Sequence, residues 1–263
     1  MDCSGGNRLS KPKSLLIAID IGNTSTTCGV FLKTRLISKS YCESNDIPYI
    51  YSKIRNKWDD DVVFKAILSS VVPKISVKLI NLIRHKFQED KVHEVGRNVN
   101  FKLKMKYAPR QLGADRLVNA YGAKHFYCLP CLVIDFGTAT TFDLVSHSGV
   151  FEGGLIIPGI QVSAKGLEAH AALLPLFEMN RSVRTLIGRN TKQAMTSGLL
   201  NGFGAMTDGL IERFKELYGK QLTVVATGGF ARKIAAYAHL IQTVDELHTI
   251  KSLAHLYQNE IAK

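Results

Sequence analysis

Two carboxylates in this chain are each followed by the same kind of turn. Asp20 opens Asp20-Ile21-Gly22-Asn23-Thr24 after the apolar run Leu15-Leu16-Ile17-Ala18-Ile19, and Asp135 opens Asp135-Phe136-Gly137-Thr138-Ala139 after Cys131-Leu132-Val133-Ile134. Each copy reads as a buried strand ending in Asp, a glycine turn, and then small hydroxyl residues. Such a turn suits a polyphosphate. Gly22 lets successive amides point at phosphate oxygens, and Asn23, Thr24, Ser25, Thr26 and Thr27 add donors. A carboxylate would repel phosphate, so Asp20 fits a holder of hydrated Mg²⁺, which takes few carboxylates and keeps several waters. In the second copy Thr138 can bond phosphate and Asp135 can hold a cation. Thr227-Gly228-Gly229, at another strand end, gives a third turn open to close approach by a nucleoside. A single such phrase also fits an ordinary hairpin with a buried, capped Asp; two at matching positions point to two related lobes closing on one nucleotide, hence to a phosphotransferase.

Phosphoryl transfer to an alcohol also needs a group that accepts the hydroxyl proton. Gly113-Ala114-Asp115-Arg116 opens a predicted helix over 112–126. There, Asp115 could take that proton while Arg116 orients an anion, or the pair could simply be a favourable acid at a helix N-terminus beside a surface Arg. No GxGxxG or GxxxxGK[ST] follows a strand, which excludes the dinucleotide-binding and P-loop readings.

The elements that must position these residues alternate between strands and helices. A meander is expected over 15–21, 28–32 and 35–41, a helical stretch over 45–57, a strand within 62–72, and a helix from Pro73 to about His85. The second half repeats the plan. Strands are expected at 131–134, 140–146 and 152–158 and a helix from Ile160 to about Leu173. A long helical stretch over 190–218 carries Gly198, Gly202, Gly204 and Gly209, read as permitting close helix contact within a lobe or across a dimer. A strand at 223–226 and helices over 230–238 and 245–261 complete it.

The 263 residues, 46% hydrophobic and 21% charged, suit one large or two medium domains rather than a disordered chain. No apolar run approaches the roughly 20 residues that span a bilayer, and residues 1–14 are polar and lack the apolar core of a secretion signal, so a cytoplasmic location is expected. That leader reads as a loose tail, a misplaced start or a remnant of cloning. The net charge is +12. Arg97, Lys102, Lys104, Lys106, Arg110 and Arg116 concentrate it against the lone acid Asp115, either as a solvated face or as an electropositive rim for ATP and an acidic substrate. No helix-turn-helix, zinc finger or interleaved aromatic pattern accompanies the charge, so nucleic acid is not the expected partner. Five cysteines without a secretion signal are expected to be reduced thiols, with Cys128-x-x-Cys131 structural or incidental.

Together these residues resemble the type III pantothenate kinases, of the actin/hexokinase/Hsp70-like ATPase superfamily. The resemblance runs through Asp20–Thr24 with Gly29, Tyr107, Leu112–Arg116, Asp135–Thr140, Gly153–Gly159, Gly188–Thr191 and Thr227–Gly229. It implies an α/β fold of two duplicated actin-like (ribonuclease H-like) lobes, each a mixed sheet flanked by helices, over 15–127 and 128–263. It implies that ATP phosphorylates pantothenate to 4'-phosphopantothenate, the first step of coenzyme A biosynthesis. Asp115 would be the general base. Asp20, Ile21, Gly22, Asn23, Thr24, Ser25, Thr26, Thr27, Thr138, Gly228 and Gly229 would bind ATP, and Tyr107, Gly113, Ala114, Asp115, Arg116 and Thr191 pantothenate. Asp20 would hold Mg²⁺ through water and Asp135 a monovalent cation, K⁺ or NH₄⁺. A homodimer is implied, with the substrate pocket near the subunit interface. The alternative on the same fold is a non-catalytic nucleotide-binding transcriptional accessory protein.

Overall fold

Strand β1 (Ser14–Ile21) is buried along nearly its whole length because it is covered on both faces. Its odd side chains Leu15, Ile17, Ile19 and Ile21 pack with Leu79 and Ile83 of helix α1 (Pro73–Phe87). Its even side chains Leu16 and Ala18 pack with Val118 and Tyr121 of helix α2 (Ala114–Phe126) and with Ile250, Leu253 and Ala254 of helix α6 (His248–Leu256). The period-2 alternation of a strand therefore sends Asp20 to the α2 side. Strand β6 (Cys131–Phe136) follows the same rule. Leu132, Ile134 and Phe136 enter one core, while Cys131 and Val133 pack with Ala120 and Ala123 of α2, so that Asp135 also turns towards α2.

The computed structural model describes residues 14–44, 46, 48–49, 52, 62–87, 91–99, 101–170 and 185–262. Its two five-stranded sheets share one topology. The first runs β3-β2-β1-β4-β5, with β2 at Ser25–Leu32, β3 at Arg35–Glu43, β4 at Val63–Ser70 and β5 at Val92–Glu94. The second runs β10-β9-β6-β7-β8, with β7 at Ala139–Val145, β8 at Phe151–Pro158, β9 at Thr223–Thr227 and β10 at Thr243–Val244. In each, the central Asp strand pairs antiparallel with the strand that follows it and parallel with the next, so Asp20 lies beside Ser69 and Asp135 beside Thr227. The expected pair of duplicated actin-like lobes, each a mixed sheet flanked by helices, is what the chain forms.

Helices α3 (Ile160–His170), α4 (Thr191–Tyr218) and α5 (Ala231–Ala235) complete the set. α4 is one continuous helix of 28 residues, opened by Asn190, whose Oδ1 accepts from Gln193 N at 2.9 Å. Among the described residues, only Gly204 of its glycines meets a neighbour closely, the Tyr237 backbone, and no described atom lies near a Cβ at Gly198, Gly202 or Gly209. The helix expected from 245 starts later, because Asp245 forms its approach turn, accepting Leu247 N on Oδ1 at 3.1 Å and His248 N on its carbonyl at 3.1 Å. The helix over 230–238 is shorter than expected, and most of the stretch over 45–57 and the last turn of the one from Ile160 lie outside the described residues. The C-terminal helix α6 packs on the first sheet and on α2.

Candidate active site

Where the two sheets face α2, they leave a cleft of about 660 Å³ lined by Asp20, Asp115 and Asp135 together with the three glycine turns. The two repeated turns touch across it, Thr24 Oγ1 lying 2.9 Å from Thr138 Oγ1. Each turn is closed by its own backbone, Gly22 N donating to Ser25 O at 2.9 Å and Gly137 N to Ala139 O at 3.1 Å. Asn23, Thr24, Ser25, Thr27, Thr138, Gly228 and Gly229 line the cleft as expected. Ile21 and Thr26 do not. Alternation puts Ile21 in the α1 core, and Thr26 is buried on the far face, donating to Ser44 Oγ at 3.3 Å while Ser44 donates to Gly22 O at 2.6 Å. Thr26 thus braces the Gly22 turn from behind.

Burial and crowding of three acids set the electrostatics. Burial first, and then the charges of Asp115 and Asp135, push Asp20 up to about 8, against a hydrogen bond from Ser69 Oγ at 3.0 Å. Burial, then Asp115, pushes Asp135 up to about 7, against the amide of Asn119, which donates to Oδ2 at 3.1 Å. Asp115 is raised by burial, opposed by the Arg116 backbone N–H on its Oδ1 at 2.8 Å and by the Arg116 charge. Three carboxylates held this way favour whatever brings positive charge among them.

The donor set fits cations of limited protein ligation. No cluster of three or more potential metal ligands occurs among the described residues. A divalent ion here would rest on one or two carboxylates plus water and substrate phosphates, which is how Mg²⁺ is usually held. At Asp135 the fit is steric. Oδ1 faces Gly228, whose φ is +91° and where any Cβ would overlap it, and a Cβ at Gly137 would come within 3.6 Å of it. Neither flanking position carries a side chain, and at 228 only glycine leaves room for that oxygen.

Arg116 is placed differently from the expectation. It is 5% exposed, and its Nε and Nη2 both donate to Asp143 Oδ1, at 2.8 and 2.6 Å. Its guanidinium also lies over the rings of Tyr107 and Phe151, 5.3 and 5.8 Å from their centroids. Burial opposes its charge, but Asp143, and then Tyr107, outweigh this and hold its pKa up. Tyr107, Gly113, Ala114 and Arg116 therefore flank the cleft beside Asp115 rather than lining it, and Thr191 is exposed at the start of α4, outside the cleft. The basic rim is not there either. None of the six clustered cations lines the cleft, and Arg97, Lys106 and Arg116 are paired with Glu94, Glu152 and Asp143. Cys131 is buried, which pushes its thiol up to about 12, and Cys128 is exposed.

Sequence reasoning missed several cleft residues. Lys39 of β3 supplies the positive charge among the described lining residues, and Glu246 and Thr249 enter from the C-terminal segment. Glu246 is held by Arg232, at 3.0 Å from Nη2. None of these carries a local motif. Only the alternation of Lys39 and Tyr41 on an edge strand hinted that this face was not core.

Comparison with known proteins agrees with the geometry. The family model described as type III pantothenate kinase matches residues 16–213. A type III pantothenate kinase from Brevibacillus brevis is 34% identical over 93% of this chain and 98% of its own length. Among solved structures, the ethanolamine utilization protein EutJ from Carboxydothermus hydrogenoformans superposes with a TM-score of 0.56 at 11% identity, over 93% of this chain and 90% of its own. MreB 5 of Spiroplasma citri bound to AMPPNP superposes with a TM-score of 0.51 at 13% identity, over 95% and 98% of the two chains. Those two likenesses bear on the fold alone. The extent of the family match and the relative's identity over nearly its full length establish that this chain belongs to the type III pantothenate kinase family.

Proposed function

We propose that the chain catalyses transfer of the γ-phosphoryl group of ATP to the primary hydroxyl of pantothenate, giving 4'-phosphopantothenate and ADP. The observation that carries this reading is the meeting of Asp20, Asp115 and Asp135 in one cleft between two hydroxyl-bearing turns. The turns at Gly22 and Gly137 present amides and hydroxyls to the phosphates, and the turn at Gly228 admits the nucleoside side of ATP. Asp115 accepts the proton of the attacking hydroxyl as its oxygen bonds to the γ-phosphorus. The bond from that phosphorus to the β–γ bridging oxygen breaks, and ADP departs with the electron pair. Mg²⁺ with ATP near Asp20 and a monovalent cation at Asp135 would neutralise charge that gathers on the phosphates. Tyr107, Gly113, Ala114 and Arg116 form the side of the site assigned to pantothenate.

A coupled assay following ADP release, with ATP and pantothenate in KCl or in choline chloride, tests the reaction and the cation together. Turnover is expected only with pantothenate present and to rise with K⁺. Nucleotide binding with no pantothenate-dependent ADP release would overturn the reading and favour the non-catalytic accessory role.

We also infer a homodimer. Thr191 lies outside the cleft of its own chain, so its assignment to pantothenate requires a neighbouring copy. Ile156 of β8, Leu186 and Ile187 are 60%, 73% and 78% exposed, apolar surface of the kind that partners cover. Sedimentation velocity should give about twice the 29.1 kDa chain mass; a monomer at micromolar concentration would rule this out.

A further inference from the structure

Asn119 has no place in the reaction just described, yet it is fully buried, and its amide is hydrogen-bonded at both ends to residues that line the cleft, Asp135 and Thr249. It stands four residues after Asp115 on α2, so both project from one face of the helix. Its Nδ2 donates to Asp135 Oδ2 at 3.1 Å. Its Oδ1 accepts from the Thr249 hydroxyl of α6 at 2.7 Å, and its main-chain carbonyl accepts from His248 Nε2 at 3.0 Å. An amide has one donating and one accepting end, while an ionised carboxylate only accepts. The carboxylate of Asp135 therefore selects the N–H end of the amide, and the Thr249 hydroxyl donates to the Oδ1 at the other end and so holds the amide plane in place.

The consequence falls on one oxygen. With Oδ2 held by Asn119, rotation of the carboxylate is restrained and Oδ1 is left between Gly137 and Gly228, the side kept free of any Cβ. This contact depends on a close approach of α6 to α2. At Gly122, one turn beyond Asn119, a Cβ would overlap Ser252 Oγ, and Ser252 stands one turn beyond Thr249. Only glycine at that crossing lets the two helices come close enough for a threonine at position 249 to reach an asparagine at position 119.

We propose that Asn119 is a positioning residue for the cation-binding carboxylate Asp135, with Thr249 orienting its amide, so that the C-terminal helix is part of the cation site. This rests on the reading of Asp135 as a cation ligand. Neither Asn119 nor Thr249 touches the reacting atoms in this scheme; both act through Asp135.

The test compares the full-length protein with Asn119→Ala, Thr249→Val and Thr249→Ser. Two readouts are taken: the K⁺ concentration giving half-maximal activity, and the rise in melting temperature that KCl produces over choline chloride in the presence of Mg-ADP without pantothenate. Loss of one charge-assisted hydrogen bond should raise the half-maximal K⁺ about tenfold in Asn119→Ala. The pantothenate KM should stay within about twofold and the KCl-induced melting shift should disappear. Thr249→Val should move the same way, and Thr249→Ser, which keeps the hydroxyl, should restore the wild-type response. Wild-type K⁺ responses in Asn119→Ala and Thr249→Val would overturn the proposal. If Asn119→Ala does not fold, the Thr249 pair decides the outcome in the same two readouts. Were the wild-type protein itself indifferent to K⁺, the assignment of Asp135 would fail first and this inference with it, which differs from a K⁺-dependent wild type whose variants behave identically.

Discussion

Replacing Asp115 by Asn is expected to lower kcat for pantothenate phosphorylation by about a hundred- to ten-thousandfold, the usual range for loss of a positioned general base. The fold should survive. Asn is the same size, and its Oδ1 can still accept the Arg116 N–H that Asp115 receives at 2.8 Å. The change also removes one of the three crowded charges, since Asp115 stands among the causes that push up both Asp20 and Asp135. The variant should therefore melt no lower than the wild type while being nearly inactive, a combination that a purely structural Asp115 would not give. The pH dependence supplies a second check. A base works only when ionised, and burial raises Asp115 above the ordinary carboxylate range. The wild-type kcat/KM should accordingly fall on acidification at a pH above that range and recover as pH rises through the raised pKa. Measured turnover of Asp115→Asn close to the wild type would remove Asp115 from the mechanism.

The features that made this site legible in sequence were local ones. Asp20 and Asp135 stand out because each ends an apolar strand and precedes a glycine turn, and the strand period fixes which face they take. What stayed hidden depends on packing between distant segments. Asn119 and Thr249 are 130 positions apart and meet only because α6 crosses α2 at Gly122. Strands β5 and β10, of three and two residues, are too short for any periodic signal. Thr26 was read as a phosphate donor because every hydroxyl in its run looked equivalent. The strand alternates them, sending Ser25 and Thr27 to the cleft and Thr26 to Ser44.

Arg116 shows the same limit, and it yields the second large expected effect. Its neighbour Asp115 suggested a guanidinium free to meet an anion, but β7 is buried from Thr140 to Val145, so no alternation marked Asp143 as its partner. Asp143 is fully buried, accepts Nε and Nη2 of Arg116 on one oxygen, and takes the Thr141 hydroxyl on the other at 3.1 Å. Asp143→Ala leaves a buried guanidinium without its counter-charge, which should cost about 3–5 kcal/mol of stability, measurable by denaturant unfolding. Replacing both partners by apolar residues of similar size, as in Arg116→Met with Asp143→Leu, should recover most of that loss, because the desolvation cost of both charges is then removed. The double variant separates two roles that Arg116 could combine. If the pair serves only to join α2 to β7, the double variant should phosphorylate pantothenate with a near-normal KM. If Arg116 also receives the pantothenate carboxylate, as proposed above, the pantothenate KM should rise at least tenfold while the KM for ATP changes little. A loss below about 1 kcal/mol in Asp143→Ala would mean that the guanidinium finds water or another partner, and that the pair is not what holds α2 against the second sheet.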